Sequence, residues 1–104
     1  MKGFVFHLIP PRTDFAFTMN DEERSTMGVH FGYWSGFAEQ GKALAFGPVD
    51  DPSGAYGIGI VLAEDETEAM ALRDADPAVL SSHGFHGEIV PMLSLVTPTQ
   101  RFDV

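Results

Sequence analysis

The chain has 104 residues, 44% of them hydrophobic, with 15 acidic and 6 basic side chains and a formal net charge of −9. This length supports one domain with a modest core and excludes two, and the composition is that of a globular chain, not a disordered one. Without a Lys/Arg cluster, such an acidic chain is expected to bind neither nucleic acid, where phosphate neutralisation supplies most of the affinity, nor an anionic membrane surface.

The chain contains no cysteine. Disulfides, thiolate nucleophiles and thiolate metal sites are therefore out, and a reducing, cytoplasmic setting is the expectation. The opening MKGFVFHLIPPR is read as a strand and not as a signal peptide: its apolar run is short, is interrupted by His7, and has no small-residue cleavage site after it. No segment reaches the length of a membrane-spanning helix.

Gly3 to Ile9 makes the first strand by its aromatic and β-branched content. Phe4, Phe6 and Leu8 point one way, and Val5, His7 and Ile9 the other. Both sets are largely apolar, so both faces are expected to be covered. Pro10 and Pro11 end the strand, since neither can donate a ladder hydrogen bond. PPRTDFAFT follows as a loop, with Phe15 and Phe17 folding back onto the domain or, alternatively, a lid whose Arg12 binds an anion.

Thr18 to Gly41 reads as one long amphipathic helix. Thr18 or Asn20 serves as N-cap, Asp21, Glu22 and Glu23 suit the positive end of the dipole, and Gly41 stands where a left-handed residue ends the helix. Met27, His30, Phe31, Trp34, Phe37 and Ala38 recur at the spacing of a single buried face. His30 is the one member of that stripe able to exchange a proton near neutral pH. It is either a structural histidine packed on Trp34 or a general base or ligand-binding group lining a pocket between helix and sheet.

Lys42 to Val49 is the second strand, with Leu44 and Phe46 on one side and Ala43, Ala45 and Gly47 on the other. DDPSGA is a turn. Tyr56 to Ala63 is the third strand, in which Gly57 and Gly59 leave room for a close neighbour or a ligand. Its glycines lie within a strand and lack a third member, so they form no dinucleotide fingerprint. Asp65 caps the second helix with Glu68 as its capping-box partner, and the helix runs to about Ala75. Asp76-Pro77 starts a short helical piece to Ser82. Phe85 to Met92 is the fourth strand, and the remaining LSLVTPTQRFDV adds a fifth short strand or reaches to a partner chain. His83 and His86 form an H-x-x-H pair near Glu88, but residues three apart in a strand face opposite ways, so no metal site is expected. Neither a nucleophile elbow nor a phosphate loop is present, and no cofactor is called for.

The order β-α-β-β-α-β predicts an α+β, ferredoxin-like domain spanning the chain: a four-stranded antiparallel sheet with two helices on one face. Helices cover one face only, yet the first and third strands are apolar on both. A second copy of the chain on the open face, as a homodimer, resolves the mismatch.

LIPPRTDF, HFGYWSGFAEQGK, ALAFGPV, YGIGIV, AEDETEAMALRDADPAV and EIVPM together resemble the YCII-related (YciI-like) family over nearly the whole chain. The resemblance implies the dimeric α/β-barrel superfamily and a pair of active-site residues, a histidine on the first helix and an aspartate in a D-P step, matching His30 and Asp76. It implies acid/base chemistry of isomerase or lyase type, with a small organic ring or carbonyl compound bound near Trp34, Tyr33 and Arg12. The alternatives are a non-catalytic ligand-binding or dimerisation module whose histidine is structural, and cofactor-free oxygenation of an electron-rich ring. Asp76 itself has a local explanation, as the N-cap before Pro77.

Overall fold

Apolar residues on both faces suit Lys2–Ile9 (β1) to one of the two central strands of the sheet, with Phe4, Phe6 and Leu8 buried on one face. A computed structural model describes residues 1–103. The further elements are a helical turn α1 (Phe15–Thr18), the long helix α2 (Asp21–Glu39), strands β2 (Ala43–Val49) and β3 (Tyr56–Ala63), helix α3 (Glu66–Asp74), the turn α4 (Pro77–Leu80), strand β4 (His86–Pro91), and the short strands β5 (Ser94–Val96) and β6 (Arg101–Asp103). Sheet order is β2-β3-β1-β4, and every pairing is antiparallel. Each long crossover thus skips one strand, as a ferredoxin-like sheet requires. No helix of the described residues is long and apolar enough to cross a membrane.

The core lies between the sheet and α2, α3 and α4. Trp34, 1% exposed, packs on Phe6 with ring centroids 5.0 Å apart, and Tyr33 and Phe37 extend the cluster edge-on. Burying a large aromatic in this way contributes about 1.5–3 kcal/mol per side chain. Ala69 and Ala78, both fully buried, let α3 and α4 approach the same layer closely.

Of the two N-caps the sequence offers for the first long helix, the structure uses Asn20 and not Thr18. Thr18 belongs to the separate turn α1, Met19 is extended (φ −59, ψ 134), and α2 starts after Asn20. The cause is a capping box: Asn20 Oδ1 accepts from the Glu23 amide at 2.8 Å, and Glu23 Oε1 accepts from the Asn20 amide at 2.9 Å. Two such bonds satisfy orphan donors at the helix start and fix where it begins. The C-terminus closes in a Schellman motif: Gly41 (φ 76) donates to Ala38 O, and Lys42 to Phe37 O. The buried stripe is shifted as well. Phe31 is 63% exposed and Ala38 also faces out, while Glu23, at 5%, is buried in phase with Met27, His30, Trp34 and Phe37.

Strand β2 also departs from simple alternation. A bulge between Ala43 and Ala45 puts Ala43 opposite Val61 and Phe46 opposite Gly59, both positions on the helix-covered face. Leu44, expected beside Phe46, is instead 38% exposed. One extra residue shifts the phase of every later side chain, and composition alone does not mark it. Pro48 lies in this edge strand and Pro91 in the opposite edge strand.

The C-terminal residues pair with one another as a β5-β6 hairpin and do not extend the main sheet. Leu95, 8% exposed, lies on Gly3 at the start of β1. A β-carbon at Gly3 would stand 2.9 Å from Leu95 Cδ2, so the glycine makes the close approach possible. The hairpin covers one end of the outer sheet face. Further along that face Val5 registers with Ile60 and Val90, His7 with Ile58 and Glu88, and Ile9 with His86, and Val90 is 52% exposed.

Arg12 ties the loop before α1 to α2. Its guanidinium holds both Glu23 oxygens, at 2.8 and 2.9 Å, and donates to the Thr18 carbonyl at 2.8 Å. These bonds from Arg12, helped by the Asn20 amide, lower the Glu23 carboxyl from 4.5 to about 2. A carboxylate depressed in the folded state stabilises fully above its unfolded value and loses that contribution as pH falls. Urea unfolding is therefore expected to show a loss of stability starting below pH 4.5 and running to about 2, with Glu23→Gln less stable at neutral pH and flatter across that window. An unchanged slope in the variant would remove the assignment.

Candidate active site

Helix α2 carries His30 and Trp34 one turn apart, so both side chains project from one face toward the sheet. Asp76, N-cap of α4, enters from the other side of the core and is 0% exposed. The structure brings the three together. Asp76 Oδ1 lies 2.8 Å and Oδ2 2.9 Å from His30 Nδ1. Trp34 Nε1 donates to Oδ2 at 2.8 Å, and the Ala78 amide donates to Oδ1 at 2.8 Å. The cap and the contact with His30 thus coexist on one carboxyl group, whose two oxygens accept from three N–H groups. A carboxylate held this way is stable in a dry interior because both of its oxygens accept hydrogen bonds.

With Nδ1 taken by Asp76, the open nitrogen of His30 is Nε2. The His30 side chain is 15% exposed and lines a cavity of about 420 Å³ between α2 and the sheet. Phe6, Leu8, Phe15, Trp34, Phe46 and Phe85 supply much of its wall, and Gly57 part of its rim. This volume is in the range of small-ligand sites, which are mostly apolar with few placed polar groups. The α1 turn contributes Phe15 and Ala16, so the segment read as a possible lid does border the cavity.

Tyr33 and Arg12 are placed elsewhere. The Tyr33 hydroxyl donates to the Leu72 carbonyl at 2.7 Å, and burial, followed by the nearby Asp76 charge, pushes its pKa above the usual phenol value. Neither residue is among those lining the cavity, and Arg12 is occupied by Glu23 and Thr18. Tyr33 touches the site through Trp34, on whose ring it packs edge-on at 5.1 Å. The other histidines stay apart from the pair. His83 Nε2 is 3.0 Å from the Thr26 hydroxyl, while His7 and His86 stand 3.4 and 3.7 Å from the two oxygens of Glu88. Among the described residues no three His, Asp or Glu side chains gather at metal-binding distance.

The YCII-related domain profile matches residues 4–93. The chain belongs to the YCII-related family. The match runs from β1 through β4 of this YCII-related chain and so contains both His30 and Asp76. No curated protein matches it. Sequence reasoning missed Glu23, the charged member of the α2 stripe, although its place three residues after Asn20 is the capping-box spacing. It also missed the bond from Trp34 Nε1 to Asp76, which no spacing along the chain announces.

In this YCII-related protein Asp76→Ala strands three donors in the core. It is expected to lower the unfolding free energy by roughly 3–5 kcal/mol, measured by urea denaturation. His30→Ala should cost less, because Asp76 retains Trp34 and Ala78 as donors. Equal losses in the two variants would show that the carboxylate is not the structural hub.

Proposed function

We propose that the protein binds a small organic molecule beside His30 and moves a proton on it, in the manner of an isomerase or lyase. The observation that carries this reading is an imidazole at a cavity wall whose Nδ1 is 2.8 Å from a fully buried carboxylate. With Nδ1–H donated to Asp76, the neutral ring keeps its lone pair on Nε2. Nε2 then takes a proton from a carbon next to a carbonyl or from a ring position, and Asp76 stabilises the imidazolium that forms. Returning the proton to another atom completes an isomerisation. Losing a neighbouring leaving group with the bond electrons, the proton remaining on the ring until solvent removes it, completes an elimination.

In this reading Trp34 forms a cavity wall and orients the carboxylate. Arg12 and Tyr33 act at one remove, by holding the loop before α1 and the packing behind Trp34. The functional unit is a cytoplasmic homodimer joined through the outer sheet face, in the dimeric α/β-barrel manner. Ile9, Ile58 and Val90, at 38%, 36% and 52% exposure, support that surface.

A second reading, a non-catalytic ligand-binding module, draws on the structural bonds that Asp76 makes to Trp34 and Ala78. The two separate on one measurement. Lactones, enones and halogenated ring compounds are incubated with the protein in deuterated buffer, and label entering carbon is followed by NMR. Exchange is expected with the native chain and to fall by about 10²–10⁴-fold in His30→Gln, with ligand binding retained. Binding without any His30-dependent exchange would favour the module.

A further inference from the structure

The cavity beside His30 lacks something that most sites for metabolic acids possess. The chain has six cationic side chains, Lys2, Arg12, Arg24, Lys42, Arg73 and Arg101. Among the described residues none of them lines the cavity. Arg12, nearest along the chain to the cavity-lining α1 turn, has its guanidinium fixed on Glu23 and stacked 5.1 Å from the centre of the Phe15 ring. Of the side chains that do line the space, those with polar atoms are His30, Trp34 and Tyr56. Trp34 Nε1 is committed to Asp76, and the Tyr56 ring packs edge-on against His7 at 4.8 Å.

An anion entering such a space loses its water and meets no compensating charge. His30 does not supply one. Even when the ring carries a proton, Asp76 at 2.8 Å balances it, so the pair presents no excess positive charge to a ligand. The chain as a whole, at −9, repels anions further. Aromatic walls, by contrast, favour a flat apolar body: Phe6 and Trp34 lie 5.0 Å apart, and Phe31 and Phe46 5.5 Å apart.

We infer that the cavity selects an uncharged, mainly apolar ring compound that offers one polar group to His30 Nε2, and that it rejects the carboxylate or phosphate form of the same skeleton. This rests on the proposed function, in that it takes the cavity as the ligand site, and adds the charge class of what enters. The neutral state of the ligand also suits the chemistry, since an anion resists losing a further proton to His30.

The test is calorimetric titration of the full chain at neutral pH with 2-naphthol, which is uncharged there, and with 2-naphthoate, an anion of the same skeleton. The naphthol is expected to bind at least about tenfold more tightly. Trp34 is the single tryptophan of the chain and lines the cavity, so quenching of its emission reports whether the binding is at this site. Ala16→Lys places a cation at an exposed cavity-lining position and should shift preference toward the naphthoate. Equal or tighter binding of naphthoate by the native chain overturns the charge inference and leaves the ligand site standing. Failure of both compounds to bind at millimolar concentration, or binding that leaves Trp34 emission unchanged, overturns the inference together with the reading of the cavity.

Discussion

One buried carboxyl group organises this molecule. Asp76 caps α4 through the Ala78 amide, fastens α2 through Trp34 Nε1, and sets the orientation of His30 through Nδ1. Elements far apart in the chain, at positions 30 and 76, are joined by hydrogen bonds that a dry interior makes costly to break. The same bonds decide which nitrogen of His30 is free. Scaffold and candidate chemistry therefore share atoms, so substitutions at Asp76 change both together.

That sharing resolves an ambiguity inherent in the sequence. An aspartate before proline is a helix cap, and a histidine in an apolar stripe is a packing residue, on local grounds alone. Neither local reading is in error. The cap uses one lone pair of Oδ1, and a carboxylate has enough remaining to accept from an indole and an imidazole. Local explanation and tertiary role compete only when a group has a single bonding direction.

Much of the sheet was legible because its signals are short-range. Alternation in β1 and β3, the Pro-Pro stop, the DDPSGA turn and the D-P helix start each depend on neighbours in the chain, and the element bounds follow them closely. What escaped depends on phase or on distant contact. The bulge in β2 displaced Leu44 outward without any change in composition. Met19 broke the long helix because Asn20 and Glu23 formed a stronger local start than Thr18. Glu23 read as one of three first-turn acids suited to the helix dipole, yet the arginine that lets it be buried sits eleven residues earlier. Helical phase, counted back from Trp34 through His30 and Met27, was the available clue.

The two prolines at the margins of the sheet have a consequence for how this chain behaves at high concentration. Pro48 in β2 and Pro91 in β4 interrupt the row of amide donors on each outermost strand, and the kink in β2 twists that rim further. Ribbon-like growth, in which one molecule adds its backbone to the next, is disfavoured at both rims. A polypeptide with an apolar, partly open sheet is in this way steered from fibrous polymerisation toward contact by side chains.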